Sequence, residues 1–220
     1  MNTKEKIIRI KDAIFKADET ISKIVNTSAY EVPALASLKI RCLLNNLGEL
    51  ATNYLECGVH VSGSFSSTTF CNGNIKKAFA IDSWASDHMG GQVHEVDFRK
   101  YSAANIHSNT ELTVIKEDCF NVDLSLIDAP IDMYLFDAGH SFEEQRDALI
   151  YYYPVLADEF IYCCDDWTYE RVKEGTIAGI KECGFEILFE KELLNETPGG
   201  GHLNDEWWRG YYVALLKKKK

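Results

Sequence analysis

The sequence predicts an α/β domain built on a parallel sheet, on three observations. From Tyr54 onward, strand-like runs alternate with segments of helical period, the pattern of βαβ units. Two of the runs, Met133–Phe136 and Phe160–Cys164, are apolar without alternation, as strands are when both faces are covered. Each of these runs ends in acid: Asp137-Ala138-Gly139-His140 follows the first and Asp165-Asp166 the second. In an open α/β sheet, ligands sit beyond the carboxyl ends of the strands. Three carboxylates and a histidine therefore meet at one sheet edge, the makings of a hard-metal site with a base beside it.

The bulk numbers narrow the class. A chain of 220 residues supports one substantial α/β domain, with room for a small appendage. Its 46% hydrophobic and 26% charged content is that of a soluble globular protein. A net charge of −11 and a pI near 5.0 argue against a broad phosphate-binding surface, so nucleic acid is not an expected partner. No apolar stretch is long enough for a bilayer, so no membrane is expected. Lys4, Lys6, Arg9 and Lys11 interrupt any hydrophobic core of a signal peptide. The seven cysteines are scattered and mostly set in apolar runs, which reads as buried thiols in a reducing, cytoplasmic compartment. Lys217–Lys220 reads as a solvated terminus.

Along the chain, Ile7, Ile10, Ile14, Ala17, Ile21 and Ile24 recur at helical spacing and predict an amphipathic first helix. Pro33 suits the first turn of a second helix carrying Leu35, Leu38, Leu43 and Leu47, with Gly48 at its end. These helices carry no chemistry; they suit either capping the sheet or a dimer contact, which leaves a homo-oligomer open. Strands are expected at 54–57, 78–81, 112–116, 132–136 and 160–164. Helices are expected near 64–71, 93–106, 142–152 and 169–183, the last stopped by Gly184. Two further strands, 185–190 and 210–216, flank the turn-rich segment Asn195–Asp205, which permits a direct antiparallel hairpin.

Three motifs precede the acid pairs. In Tyr54-Leu55-Glu56-Cys57-Gly58-Val59-His60-Val61-Ser62-Gly63-Ser64 a strand ends in an acid, and glycines then let a ligand approach the backbone before a helix begins. No Gly-Lys-Ser/Thr follows, so it is not a P-loop, and its glycine spacing is not the dinucleotide fingerprint. An ordinary strand-to-helix turn is the other reading. Asp82, in Phe79-Ala80-Ile81-Asp82-Ser83-Trp84, can accept hydrogen bonds from both hydroxyls of a ribose; alone it reads as a solvated strand end, and the glycine turn before it makes the ribose reading specific. Asp118 stands past the next strand, where an acceptor can meet an adenine amino group or simply cap a turn.

In that order, the acid-glycine turn, Asp82-Ser83-Trp84, Asp118, Asp137-x-x-His140 and Asp165-Asp166 resemble the class I S-adenosylmethionine-dependent methyltransferases, over roughly Tyr54–Leu216. Within that fold the chain is most similar to the metal-dependent, macrocin-type sugar O-methyltransferases. The carriers are Gly58-Val59-x-x-x-Gly63, the Asp-Ser-aromatic triplet and the closing Asp-Asp. The stretch Phe136–Glu143, followed by Asp147 and Tyr153-Pro154, is similar to the wider metal-dependent group. His60 and Ser62 depart from the commoner Gly-x-Gly-x-Gly turn. The resemblance implies a Rossmann-like, doubly wound, seven-stranded sheet of order 3-2-1-4-5-7-6, the last strand antiparallel. It divides the chain into an N-terminal helical segment, 1–50, and a methyltransferase domain, 51–220.

Roles follow from the resemblance. Glu56 and Gly58 face the methionine end of S-adenosyl-L-methionine, Asp82 its ribose and Asp118 its adenine, with Gly63 and Ser83 completing the cofactor set. Asp137, Asp165 and Asp166 hold Mg²⁺ or a similar divalent cation. His140 is the catalytic base, and Asp137 is counted as catalytic beside it. Three carboxylates leave room for a substrate oxygen, the metal lowers the pKa of that hydroxyl, and the histidine takes its proton. Two bland readings stand beside these: Asp165-Asp166 as a hydrated turn, and His140 as the cap of the helix starting near Phe142.

Other segments carry less. Trp207-Trp208 and Tyr211-Tyr212 suit either stacking on a sugar ring or packing on a helix. Ser86–Val96, with Met89-Gly90-Gly91, suits a lid or an ordinary loop. His88, His94, His107 and His202 show no metal spacing. The expectation is an O-methyltransferase acting on a hydroxyl of a small molecule, a sugar or glycosylated metabolite. The alternatives are a catechol-type or phenol-type enzyme and a non-catalytic S-adenosylmethionine-binding protein.

Overall fold

The computed structural model describes residues 1–85, 91–195 and 206–219. The lid segment in part, His88, His202, most of the 195–205 turn and Lys220 lie outside the described residues. Seven strands form one sheet: β1 (Asn53–Cys57), β2 (Lys77–Asp82), β3 (Glu111–Lys116), β4 (Ile131–Phe136), β5 (Leu156–Cys164), β6 (Glu186–Leu193) and β7 (Tyr211–Lys217). Their order is β3-β2-β1-β4-β5-β7-β6. The five central strands pair in parallel, and β7 runs antiparallel to both of its neighbours. The order and hand of the last strand are those implied by the resemblance.

Helices cover both faces: α1 (Thr3–Asp18), α2 (Ser28–Glu31), α3 (Leu38–Gly48), α4 (Gly63–Thr69), α5 (Gly91–Asn105), α6 (Phe142–Tyr152) and α7 (Glu170–Glu182). Alternation along the strands sorts the core into two layers. Tyr54, Ala78, Ala80, Met133, Leu135, Ile161 and Cys163 pack with Ile10, Leu43, Phe65 and Phe98 from α1, α3, α4 and α5. Leu55, Phe79, Tyr134, Phe136 and Tyr162 pack with Leu149 and Tyr152 of α6 and with Val172 of α7. Strands buried on both faces explain the unbroken apolar runs in the sequence. The N-terminal helices share the first layer, so they cap the sheet.

Two N-terminal boundaries differ from the periodicity. Helix α1 ends at Asp18, and Thr20 then takes a left-handed φ of 53°. Ile21 is exposed there, while Ile24 reaches the core from the turn that follows. Helix α3 starts after Ser37, whose hydroxyl accepts from the Ile40 N–H, so Pro33 and Leu35 precede the helix. A side-chain cap satisfies an orphan N–H, which proline at the first turn does not do. Among the cysteines, 42, 57, 163 and 164 are buried as expected, whereas Cys71 is exposed; no disulfide joins them.

The strand register builds the sheet edge. Cys57 is aligned with Ile81 on one side and Phe136 on the other, and Phe136 with Cys164. The next residues, Gly58, Asp82, Asp137 and Asp165, consequently lie in one row across four adjacent strands, spaced by the interstrand distance of about 4.8 Å.

Candidate active site

The row opens onto two cavities. The larger, 420 Å³, is lined by Gly58, His60, Asp82, Ser83, Trp84, Asp118 and Cys119 among others. The smaller, 270 Å³, is lined by His140, Asp165, Asp166, Trp208, Arg209 and Leu35 among others. Gly58, His60, Asp137 and Ala138 line both, so these residues form a common wall.

The glycine turn is built on left-handed backbone. Gly58 has φ 89°, and a Cβ there would stand 2.0 Å from the Asp137 carbonyl oxygen, so only glycine fits. His60 and Ser62, where glycines are commoner, keep positive φ values of 47° and 91°. Non-glycine residues hold such angles only when their surroundings fix them. At His60 both backbone groups are fixed. Its N–H donates to Asp82 Oδ2 at 2.9 Å, and its carbonyl accepts from the Trp84 indole at 2.9 Å. Asp82 Oδ1 accepts from the Trp84 N–H at 2.8 Å. The carboxylate thus bridges the β1 and β2 loops, with lone pairs left for a ligand. Asp118 lines the same cavity and accepts from the Phe120 N–H at 2.8 Å, so it forms a turn and faces the cavity at once. Ser83 lines it too.

Glu56 and Gly63 take other places. Glu56 is fully buried beneath α4 and lines neither cavity; Tyr54 and Ser64 donate to its two oxygens. Burial pushes its carboxyl up to about 8, against the lowering effect of those hydrogen bonds. Gly63 starts α4, packs against Pro33 and Ala34, and lines the smaller cavity.

Asp137, His140 and Asp166 each offer a ligand atom within 4.8 Å of the others, the spacing of a metal-binding group. His140 Nε2 lies 2.7 Å from Asp166 Oδ2 and 3.9 Å from Asp137 Oδ1. The carboxylates of Asp137 and Asp166 hold the imidazole up at about 10. Desolvation raises the Asp137 and Asp165 carboxyls, Asp165 well above the usual range. Asp165 lines the smaller cavity beside this group, and its Oδ1 is buried without a hydrogen-bond partner. A buried unpaired acceptor beside two carboxylates and an imidazole is a donor set that fits a divalent cation.

The loop that carries His140 is held from three sides. Gln145 donates to the Gly139 carbonyl at 2.7 Å and Arg171 to the His140 carbonyl at 2.8 Å. Ser141 forms a capping box with Glu144, so Ser141, and not His140, caps α6. Asp165-Asp166 is no hydrated turn: both residues are buried, and Asp166 takes a left-handed φ of 56°.

Several lining residues had no sequence signal. Ala34, Leu35 and Ala36 come from the loop before α3, and Arg209 from the turn before β7. The Arg209 guanidinium lies 4.5 Å over the Trp208 ring and 3.4 Å from Asp166 Oδ1. Of the aromatic pairs, Trp208 lines the cavity, whereas Trp207, Tyr211 and Tyr212 are buried, Tyr212 stacked on Trp167 at 4.1 Å. His94, assigned no role from the sequence, meets the His60 ring edge-on at 4.3 Å.

The sheet order and its antiparallel last strand are those of the Rossmann-like methyltransferase fold. No protein-family model matches the chain, and no curated protein does. Solved structures share the fold. An O-methyltransferase from Bacillus cereus in complex with SAH is 13% identical, covers 96% of this chain and 91% of its own, and has a TM-score of 0.55. A Staphylococcus aureus protein assigned as a caffeoyl-CoA O-methyltransferase is 15% identical over 94% and 99%, with a TM-score of 0.61. TomG from Streptomyces achromogenes, an O-methyltransferase of tomaymycin synthesis in complex with SAM, is 14% identical over 94% and 90%, at 0.55. At these identities the likeness is one of fold.

Proposed function

We propose that the chain is an S-adenosylmethionine-dependent O-methyltransferase that uses a divalent cation and acts on a hydroxyl of a small molecule. The observation that carries this reading is the common wall of the two cavities. A cofactor beside Asp82 and Asp118 brings its sulfonium to that wall from one side. An acceptor beside His140 and Asp166 reaches it from the other. Solved neighbours with the same fold, bound to SAH or SAM, support the cofactor.

Asp137, Asp165 and Asp166 would hold the cation, with His140 beside them as the base. Such a cation supplies positive charge that lowers the pKa of an acceptor hydroxyl and neutralises the carboxylates. His140 is fixed by its loop within reach of that hydroxyl's proton. An imidazole held protonated by two bare carboxylates cannot accept it, so His140 serves as base only once those carboxylates are neutralised. Where the two cavities meet, at Gly58 and Ala138, sulfur, methyl and oxygen would come into line and in contact, and that alignment provides most of the acceleration.

A sugar acceptor agrees with the macrocin-type resemblance, and Trp208 offers a face on which a sugar ring packs. A phenolic acceptor is the second reading. Leu35, Val59 and Trp208 form an apolar wall beside the acid–histidine group, the gate a flat ring needs. The caffeoyl-CoA assignment of one neighbour points the same way. Calorimetry with S-adenosylmethionine and then NAD⁺, each with and without Mg²⁺, tests the core of the proposal. Binding of S-adenosylmethionine alone is expected; binding of NAD⁺ alone refutes it.

A further inference from the structure

We propose that Arg209 recognises a carboxylate on the acceptor, so that the molecule methylated is a small hydroxylated carboxylic acid. This rests on the reading of the smaller cavity as the acceptor site, and it narrows the sugar and the phenolic readings alike.

The turn that carries Arg209 is strained and sewn to the acidic strand end. Arg209 has a φ of 58° and Gly210 one of 75°. A non-glycine residue keeps such an angle only where its surroundings fix it. Here the Arg209 carbonyl accepts from the Thr168 N–H at 2.9 Å and the Gly210 carbonyl from the Trp167 N–H at 3.2 Å. Trp167 and Thr168 directly follow Asp165-Asp166, so one strand end places both the acids and the arginine. The guanidinium lies 4.5 Å over the Trp208 ring and 6.0 Å from that of Tyr169. Rings take its flat face and leave its N–H edge for an oxyanion.

Among the described residues, Arg209 is the one arginine or lysine lining this cavity, and its side chain is 46% exposed. Of its fork of donors, only Nη1 has an acceptor there, Asp166 Oδ1 at 3.4 Å. That is long beside the roughly 2.7–2.9 Å of a tight charge-assisted pair, so the fork is not spent. Carboxylates line the other side of the cavity, which leaves an acid group on the ligand one place to go. A phosphate dianion would call for a second cation. Arg171, which shares Tyr169, instead donates to the His140 carbonyl at 2.8 Å. Asp166 also fixes the spacing: its Oδ2 meets His140 and its Oδ1 meets Arg209. Base and guanidinium thus flank one carboxylate, and the hydroxyl and acid group they engage belong to one compact molecule. Leu35, Val59 and Trp208 cover its apolar body.

Matched acceptors on the intact protein with Mg²⁺ test this: glucose, glucuronate and glucose 6-phosphate in one series, catechol and 3,4-dihydroxybenzoate in the other. Calorimetry on protein saturated with S-adenosylhomocysteine reads binding, and radiolabel from S-adenosylmethionine reads transfer. In at least one series the carboxylate should bind about tenfold tighter than its neutral partner. In Arg209→Gln that ratio should fall toward one, and Arg209→Lys should restore part of it. An arginine that only braces the turn would shift acid and neutral acceptors together. Equal binding of acid and neutral partners, no binding by either carboxylate, or a ratio unaltered in Arg209→Gln overturns the proposal and leaves the methyltransferase reading intact. Preference for the phosphate over the uronate overturns the carboxylate class. Failure of S-adenosylhomocysteine to bind the parent protein overturns the cofactor reading, and this proposal with it.

Discussion

Gly58 and Asp137 meet backbone to backbone: the Cβ that glycine lacks would stand 2.0 Å from the Asp137 carbonyl oxygen. This contact joins the loops after β1 and β4 at the wall between the cavities, and the Gly58 φ of 89° suits no other residue as well. Gly58→Ala is expected to cost about 3 kcal/mol or more of stability, since both backbone strain and a clash with main chain must be relieved. Chemical denaturation measures it. A variant as stable as the parent would mean that the two loops part freely.

Asp82→Ala should weaken S-adenosylmethionine binding by about 2 kcal/mol, roughly thirtyfold, because ribose hydroxyls and two backbone N–H groups all lose their acceptor. Asp82→Asn, which keeps one oxygen, should lose less. Calorimetry on the pair checks this, and unchanged affinity in both would remove Asp82 from the cofactor site.

His140→Asn should lower kcat by roughly 10²–10⁴ while cofactor affinity stays nearly constant. The capping box at Ser141 leaves α6 capped without His140, so a lost rate would not come from an uncapped helix. A variant with normal turnover and a lower melting temperature would assign His140 a structural part alone.

Glu56 sets a pH dependence of stability. Its folded carboxyl is raised to about 8 from 4.5, so between those values the folded protein binds the extra proton. Stability therefore falls as pH rises from 4.5 through 8 and levels off above, by a total on the order of 4 kcal/mol. Glu56→Gln should flatten this slope when unfolding is followed across that range. An unaltered slope would place its origin elsewhere.

Turnover should disappear on exhaustive chelation and return with Mg²⁺ or Mn²⁺, and Asp166→Asn should raise the metal concentration needed. Full activity in metal-free protein, verified by elemental analysis, would sink the metal reading and leave the fold untouched.

The sheet was legible because strands buried on both faces must be apolar throughout, as Tyr134–Phe136 and Phe160–Cys164 are. The edge site was legible because the residue after each such run is placed by register alone. Asp82, Asp118, Asp137, His140, Asp165 and Asp166 accordingly all line the two cavities. Glu56 was read from the same pattern, yet it lies one residue inside the strand and is buried beneath α4. The start of α3 was misread because proline suits a first turn wherever it stands, while the deciding cap, Ser37, is a single hydrogen bond. Leu35 and Arg209 reach the smaller cavity from segments far apart in sequence, so no local pattern marks them, whereas Trp208 was marked only as one of several aromatics.

The central claim, that the row of residues beyond β1, β2, β4 and β5 is a methyl-transfer site, is tested most directly by a crystal structure with bound S-adenosylhomocysteine. The account predicts the ribose on Asp82, the adenine beside Asp118 and the sulfur at the Gly58–Ala138 wall facing His140. S-adenosylhomocysteine seated away from Asp82, or with its sulfur turned from that wall, would contradict it.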